Sequence, residues 1–565
     1  MILDGESLMD GDKLDGELVV VGAGPAGIVT ALEAARAGID VVLLESGATT
    51  FDERAQALAD VAELDIRRHA PMSMATRREV GGTSAIWGGR CLPFDPVDFD
   101  ARDVVNGTRW PIGYSAVEPY FPRACDWLIC GRAVFDAQRV PHLARASLVP
   151  GLPDGDVRTT TLERWSLPTH FGREYGPRLK RSPRVRVVTR TTCTEIVCHD
   201  GAPAVAHLRA RTLDGKRVTV QGKRYVLACG GLETTRLLLA SRGPGGRPIG
   251  DHSGHLGRWY MAHMEGSIAR VHFNTDPRRT LYGYERDVDG AYVRRRLSFR
   301  REFALERGMP NIVGWLANSE LPDPSHGSGV LSLAYLLLAS PLGRAVAPDA
   351  QQQSLTGVAV PGAPYGRAQR GPVRAHVRNM VLDARATARF ITEFGYNRFV
   401  PRRRAPGFFA YRPDNAYPLQ YHGEHLPSRQ SRVTLSDERD ALGMPRLRID
   451  LRFSEADVDG VVGAHKAWDE YLRAHGRGQL EYMTEDVGAA VWERVGGGFH
   501  QSGTTRMSRS PDDGVLDAEL AVHGFHDLFV SSSSAFVTSS QANSTYMIVA
   551  LALRLADKLR RQLRP

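Results

Sequence analysis

Residues 19–45 read VVVGAGPAGIVTALEAARAGIDVVLLE, and this stretch decides the fold. A valine run predicts a short buried strand. Gly22, Gly24 and Gly27 then stand in G-x-G-x-x-G spacing, followed by an apolar helical face and a second apolar run, Val41 to Leu44, that ends on Glu45. Strand, tight turn, helix, strand and acid in this order predict a dinucleotide cradle. Gly22 makes the turn, Gly24 admits a pyrophosphate to the backbone, and Gly27 lets helix and strand pack closely. Ala26 lies in the first helical turn, whose unbonded N–H groups suit phosphate oxygens. Glu45 stands where a carboxylate accepts from a ribose hydroxyl. The motif alone does not choose between FAD and NAD.

The chain has 565 residues, 42% hydrophobic and 24% charged, which fits a globular protein of two domains. Its net charge of +8 comes with patches such as Arg402–Arg404 but no long basic run interleaved with aromatics, so nucleic acid is not the expected partner. The longest apolar run, Val330 to Ala339, is half the ~20 residues that span a bilayer, and predicts a buried or interfacial helix. The first 16 residues are acidic and polar without an export signal, giving a cytoplasmic expectation. Six cysteines include no C-x-x-C pair, so neither disulfides nor a thiolate metal site is expected. Cys198 and Cys229 read as small core residues within strands.

After Glu45 a polar helical stretch is expected to about Arg68. Gly81 to Arg90, GGTSAIWGGR, reads as a loop held against a ligand, offering backbone donors and hydroxyls at Gly82, Thr83 and Ser84 and an apolar wall at Trp87. Arg184 to Val197 alternates as a strand, and Val205 to Arg211 with Arg217 to Val220 continues it antiparallel. Tyr225 to Cys229 is a further buried strand, entering Gly230-Gly231 and a helix from Thr234 to Ala240. That repeats the opening pattern and implies a return to the first domain. From Met261 to Arg494, strands (Ile312 to Ala317, Phe408 to Tyr411, Arg432 to Leu435, Arg446 to Leu451) mix with helices (Arg374 to Phe394, Glu455 to His475). Ser340 to Arg374 is Pro-, Gly- and Gln-rich and reads as a mobile loop.

The last 70 residues are the second informative stretch. His500 sits alone in a glycine-rich frame, GGGFHQSGTTRM. Leu528 to Ser534 is a strand entering a serine run. Asn543, Ser544 and Thr545 precede the apolar run Tyr546 to Leu553, an N-cap signature for a helix with a basic end.

Taken together, the cradle, the GGTSAIWGG loop, the HQSGTTRM block and the terminal Asn-Ser-Thr helix resemble the glucose–methanol–choline (GMC) family of FAD-dependent oxidoreductases. RWYMAH at 258–263 and SRVTLS at 431–436 resemble further family blocks. The resemblance implies an α/β fold: a discontinuous Rossmann-like FAD-binding domain, assigned to 1–95, 180–260 and 495–565. It pairs with an α+β substrate domain on a mostly antiparallel sheet, 96–179 and 261–494. His500 matches the family's catalytic histidine and Asn543 its second active-site residue. Cys193 falls where members hold the adenine through the backbone; Ser533, Ser544 and Thr545 fall beside the cofactor. Several departures stand out. Ile86 occupies the loop where some members carry a flavin-linked histidine, so FAD is expected to bind non-covalently, with Cys91 the one nearby nucleophile. Trp87 replaces a common asparagine and leans toward the sugar-oxidising, pyranose oxidase-like branch. Ser532–Ser534 replace the usual Asp-Ala-Ser, and Ser544 a common proline.

The implied activity is oxidation of a hydroxyl of a sugar, glycoside, cyclitol or related polyol by hydride transfer to flavin N5. His500 is the base and Asn543 holds the oxygen in line. The alternatives are an O2-dependent oxidase of a non-sugar alcohol and an FAD-containing hydroxynitrile lyase. The electron acceptor, O2 or another, is left open. The pairs His422/His425 and His523/His526 lack a third ligand in sequence, so no metal is expected. Glu424, between the first pair, is a candidate for a sugar hydroxyl or a structural role.

Overall fold

The computed structural model describes residues 1–105, 108–144, 147–167, 169–343, 352, 355 and 371–564. Its centre is a six-stranded sheet in the order Ile2–Asp4, Val185–Thr189, Val41–Leu44, Leu18–Val21, Arg224–Leu227, Leu528–Val530. All five pairings are parallel. Leu18–Val21 and Val41–Leu44 are buried along their whole length, as parallel strands covered on both faces require. Helix Pro25–Arg36 crosses between them and packs against the long C-terminal helix Ser544–Leu563. One apolar core runs through this sheet and both helices.

A second sheet, entirely antiparallel, has the order Ile312–Leu316, Ala416–Glu424, His263–Phe273, Gly478–Tyr482. Helix Glu455–Ala474 begins with a Ser454/Asp457 capping box and buries Trp468 in that sheet's own core. A smaller antiparallel sheet joins Glu285–Arg286, Tyr292–Arg295, Leu162–Trp165 and Arg90–Cys91. No helix among the described residues is long and apolar enough to cross a membrane.

Several sequence expectations shift. The helical stretch after Glu45 is only Glu53–Ala57, followed by the strand Glu63–Leu64. The alternating run at 184–197 is two strands, because Arg190 takes φ 50° and turns the chain. Val185–Thr189 joins the parallel sheet, and Thr191–Cys198 pairs antiparallel with Val205–Thr212 in a mixed sheet. Cys229 is not in a strand: Arg224–Leu227 ends two residues earlier, and Cys229 is the N-cap of helix Gly230–Ala240. Phe408–Tyr411 is irregular, and 374–394 is two helices, Val373–Leu382 and Ala384–Phe399. The apolar run at 330–339 is helix Gly329–Leu338. Residues 344–351, 353, 354 and 356–370 of the Pro-, Gly- and Gln-rich stretch lie outside the described residues.

Candidate active site

Two of the cradle's three glycines stand where only glycine fits. Gly22 has φ 101°, and a Cβ there would lie 2.5 Å from the Ala228 carbonyl oxygen. A Cβ on Gly27 would meet the Gly22 oxygen at 1.8 Å, so Gly27 serves packing and is not on the cavity wall. Gly24 is the opposite case: a Cβ there meets nothing within 4 Å. Gly24 is also the N-cap of Pro25–Arg36, with Pro25 at N1 and no side chain capping the first turn. The helix therefore presents bare N–H groups to open space, the arrangement that receives a pyrophosphate.

Glu45 is buried, and burial pushes its carboxyl above the usual range while two backbone donors oppose the shift. Ala23 N–H donates to Oε2 and Gly47 N–H to Oε1, each at 2.8 Å. The carboxylate thus braces the glycine turn itself, and each oxygen keeps acceptor capacity for a ribose hydroxyl. Ser84 is similarly engaged by protein: its hydroxyl donates to Gly81 O at 2.6 Å and accepts from Phe171 N–H at 2.9 Å. Trp87 donates Nε1–H to Thr169 O at 2.9 Å, which fixes its indole as a wall. At Cys193 the strand register shifts before Glu195, a bulge that interrupts the ladder beside the cavity.

These parts surround one cavity of about 2520 Å³, well above the ~300–1,000 Å³ of a single small-molecule site and roomy enough for a dinucleotide and a substrate together. Gly22, Gly24, Ala26, Glu45, Gly82, Thr83, Ser84, Trp87, Cys193, Ser533, Ser544 and Thr545 line it, together with His500 and Asn543. Of the residues singled out in the sequence as site residues, only Gly27 stands off the wall.

At the inner end, His500 and Asn543 meet. Asn543 is the N-cap residue of Ser544–Leu563, yet it makes no side-chain cap. It turns inward, and Nδ2 lies 3.0 Å from His500 Nε2. An amide N–H donating there leaves Nε2 as the unprotonated ring nitrogen. Asn543 Oδ1 is buried without a partner among the described residues. Burial, then the positive charge of Arg90, pushes the His500 pKa down to about 4, so the imidazole is neutral at neutral pH.

Two further histidines reach this point. His263 opens its strand and His422 lies two residues from the end of the next, paired as diagonal cross-strand neighbours. The ring of His263 lies 4.4 Å from that of His422 and 4.9 Å from that of His500, centroid to centroid. Their ligand atoms and that of His500 all fall within 4.8 Å of one another, so three imidazoles assemble that the sequence reading did not group. Burial drives both pKa values well below the ordinary range, with neighbouring imidazoles and Arg90 adding to it. His422 Nδ1–H donates to Gln541 O at 2.7 Å, and neither ring nitrogen of His263 has a partner among the described residues. The period of the strand that places Pro418, Gln420 and His422 on one face was the available signal; the meeting with residue 263 was not visible in sequence.

The other histidine candidates go elsewhere. His425 accepts from Ala262 N–H at 3.0 Å and its Nε2–H donates to Arg452 O, so both ring nitrogens are engaged by backbone. Glu424 is not a sugar ligand: its carboxylate is held by both Arg102 guanidinium nitrogens at 2.7 and 2.8 Å and by Asn311 N–H, all buried. Cys91 is fully buried and off the cavity wall, with Sγ toward Gly89 O.

A parallel-sheet dinucleotide cradle thus opens onto a neutral histidine and an amide, an arrangement that suits a dinucleotide-dependent oxidoreductase. Residues 15–66 match a family model described as FAD binding domain, and residues 427–552 one described as GMC oxidoreductase. Paromamine 6'-oxidase from Streptomyces fradiae is 26% identical over 47% of this chain; that match spans 57% of the relative, little more than half its length. 2-Methyl-1,2-propanediol dehydrogenase from Mycolicibacterium austroafricanum is 23% identical over 97% of this chain and 95% of its own. The solved structure of pyridoxine 4-oxidase from Mesorbium loti superposes with a TM-score of 0.54 at 16% identity, covering 97% of this chain and 99% of that one. Over residues 427–552 the chain is thus similar to the GMC oxidoreductases.

Proposed function

We propose that this protein oxidises a hydroxyl group of a sugar, glycoside, cyclitol or related polyol to a carbonyl, with His500 as the proton acceptor. The observation that carries this reading is the 3.0 Å pairing of Asn543 Nδ2 with a buried, neutral His500 at the inner end of the cradle's cavity. An alcohol releases hydride only as its oxygen gains alkoxide character, so its proton must pass to a base in the same site. His500 Nε2 holds the lone pair that takes it. In the resting site one Asn543 N–H occupies that lone pair and orients the ring; an incoming hydroxyl displaces this N–H, which turns to the substrate oxygen. The positive N-terminus of Ser544–Leu563 lies directly behind, where negative charge develops.

FAD, when bound, supplies the hydride acceptor at N5 of its ring system. Gly22, Gly24, Ala26, Gly82 and Thr83 would hold its pyrophosphate, Glu45 a ribose hydroxyl, the Cys193 bulge the adenine, and Ser533, Ser544 and Thr545 the flavin end. Ser84, Trp87 and Gly27 shape the walls and turns these groups stand on. Attachment is non-covalent in this reading, because Ile86 has no nucleophile and Cys91 is buried away from the cavity. Residues 1–95, 180–260 and 495–565 would form the FAD-binding unit and the remainder the substrate unit. The names of paromamine 6'-oxidase and 2-methyl-1,2-propanediol dehydrogenase, both acting on hydroxyl-bearing compounds, support a polyol.

Anaerobic mixing of the holoenzyme with a panel of polyols tests the proposal. Flavin bleaching by at least one member, abolished in His500→Ala, is expected; bleaching that persists undiminished in that variant refutes the role of His500.

A further inference from the structure

Beside His500 the cavity carries a charge pattern that the oxidation itself does not require. Arg90 and Arg294 both line it, on strands flanking Leu162–Trp165. Both turn to one carboxylate. Arg90 Nε lies 2.5 Å from Glu163 Oε2, and Arg294 Nε donates to Oε1 at 2.6 Å. Glu163 is fully buried; although burial opposes ionisation, Arg294 and Arg90 hold its carboxyl below the ordinary range. Two cations therefore share one anion. A third guanidinium, Arg296, donates to Gln541 Oε1 at 2.7 Å and feels the charges of Glu163 and Asp95. Three guanidiniums stand against two carboxylates.

The surplus is desolvated. Burial pulls the Arg90 pKa down to about 10 despite Glu163, and Arg90 Nη2 has no hydrogen-bond partner among the described residues. A buried cation short of counter-charge is costly until an anion joins it. Stacking supplies part of the compensation: Arg90 lies 4.5 Å and Arg294 4.7 Å from the Trp315 ring centroid, and Arg294 also packs over Trp165 and Tyr284. Those aromatic rings also line the cavity and offer a flat wall to a sugar ring. The charge balance of the whole wall agrees in sign. Ten arginines and five glutamates line it, with no aspartate or lysine among the described residues. The diphosphate of a bound dinucleotide answers part of that excess at the cradle, but Arg90 acts on His500, at the other end.

We infer that Arg90 and Arg294, backed by Glu163 and faced by Trp315, form an anion subsite, and that the hydroxyl substrate carries a carboxylate or a phosphate ester. This rests on the polyol reading above, and it sets this site apart from one for an amine-bearing sugar. An ammonium group beside Arg90 is repelled, whereas an acidic group completes the pair. Bidentate geometry suits either oxyanion.

The test separates binding from turnover by using rings with no hydroxyl. Cyclohexanecarboxylate, cyclohexyl phosphate, cyclohexanecarboxamide and cyclohexylammonium are titrated into the holoenzyme, and the flavin absorbance change gives each Kd. One or both anions are expected to bind about 30-fold or more tightly than the carboxamide, the lower range for a desolvated charge pair, with the ammonium weakest. Whichever anion binds tighter identifies the source, carboxylate or phosphate. Rising salt shrinks the preference, and Arg294→Gln reduces it to a few-fold. Equal affinities, a reversed order, or no binding of any probe overturns the inference. So does an Arg294→Gln variant that loses FAD affinity while keeping the anion preference, since the pair would then serve the cofactor. Because no probe can be oxidised, the result stands whether or not polyols bleach the flavin.

Discussion

The pH dependence of flavin reduction follows directly from the surroundings of His500. The groups facing it are Arg90, which is cationic, and His263 and His422, both kept neutral by burial. With a pKa of about 4, His500 is unprotonated throughout the neutral range. A base must be unprotonated to act, so the limiting rate falls only as pH drops through about 4. At pH 5.5 about 97% of such a group is in the active form, against about 9% for an unperturbed histidine of pKa about 6.5, a tenfold difference in rate. Anaerobic stopped-flow bleaching of the holoenzyme from about pH 3 to 8 measures it, with flavin fluorescence confirming that FAD stays bound. Removing the guanidinium with Arg90→Gln takes away the second cause of the depression, and the acid limb should move toward higher pH. A wild-type limb centred near 6.5 would refute the burial argument, and no limb at all down to flavin release would leave His500 without a role as base.

Other outcomes follow from the same geometry. His500→Ala should lower flavin reduction by roughly 10²–10⁴-fold while keeping FAD, measured by rapid mixing and flavin content. Glu45→Ala strands two buried N–H groups, at Ala23 and Gly47, each costing about 1–3 kcal/mol, so thermal stability and FAD retention should fall together. Acid precipitation should leave the yellow colour in the supernatant; colour in the pellet would demonstrate a covalent flavin. His69, His465 and His500 are each depressed to about 4 by burial and stay neutral in the folded state while the unfolded chain protonates. Stability is therefore full above about pH 6.5 and is lost as pH falls from there toward 4, by up to about 3 kcal/mol per histidine, as denaturant titrations across that range should show.

Much of this was legible where local sterics write the structure. Gly22 and Gly27 announce the cradle because no other residue fits the turn and the helix contact, and Gly24 completes the spacing at the open approach. The run at 543–553 announces its helix by composition. What was not legible depends on strands brought together from far apart. His263, His422 and His500 come from three segments, and nothing in their spacing predicts an encounter that the antiparallel register creates. Arg90, Glu163 and Arg294 meet the same way, across a small sheet of two- to four-residue strands too short for a period to show. Asn543 was read as a cap, and it occupies the cap position, but tertiary contact with His500 takes its side chain from that duty. Glu424 looked available because its partner, Arg102, lies 322 residues away.

The strand order of the parallel sheet has a consequence for how the chain is made. Arg224–Leu227 sits between Leu18–Val21 and Leu528–Val530, so one of its two edges has no partner until some three hundred further residues have left the ribosome. At about 5–20 residues per second that is roughly 15–60 s during which an apolar strand edge is exposed on a nascent chain. The two groups that face the cavity's inner end, His500 and Asn543, also emerge only late, on either side of Leu528–Val530. Flavin capture by a half-made cradle is thus separated in time from assembly of the reactive centre, and yield in a foreign host should depend on chaperone supply and on slower synthesis at low temperature more than on flavin supply.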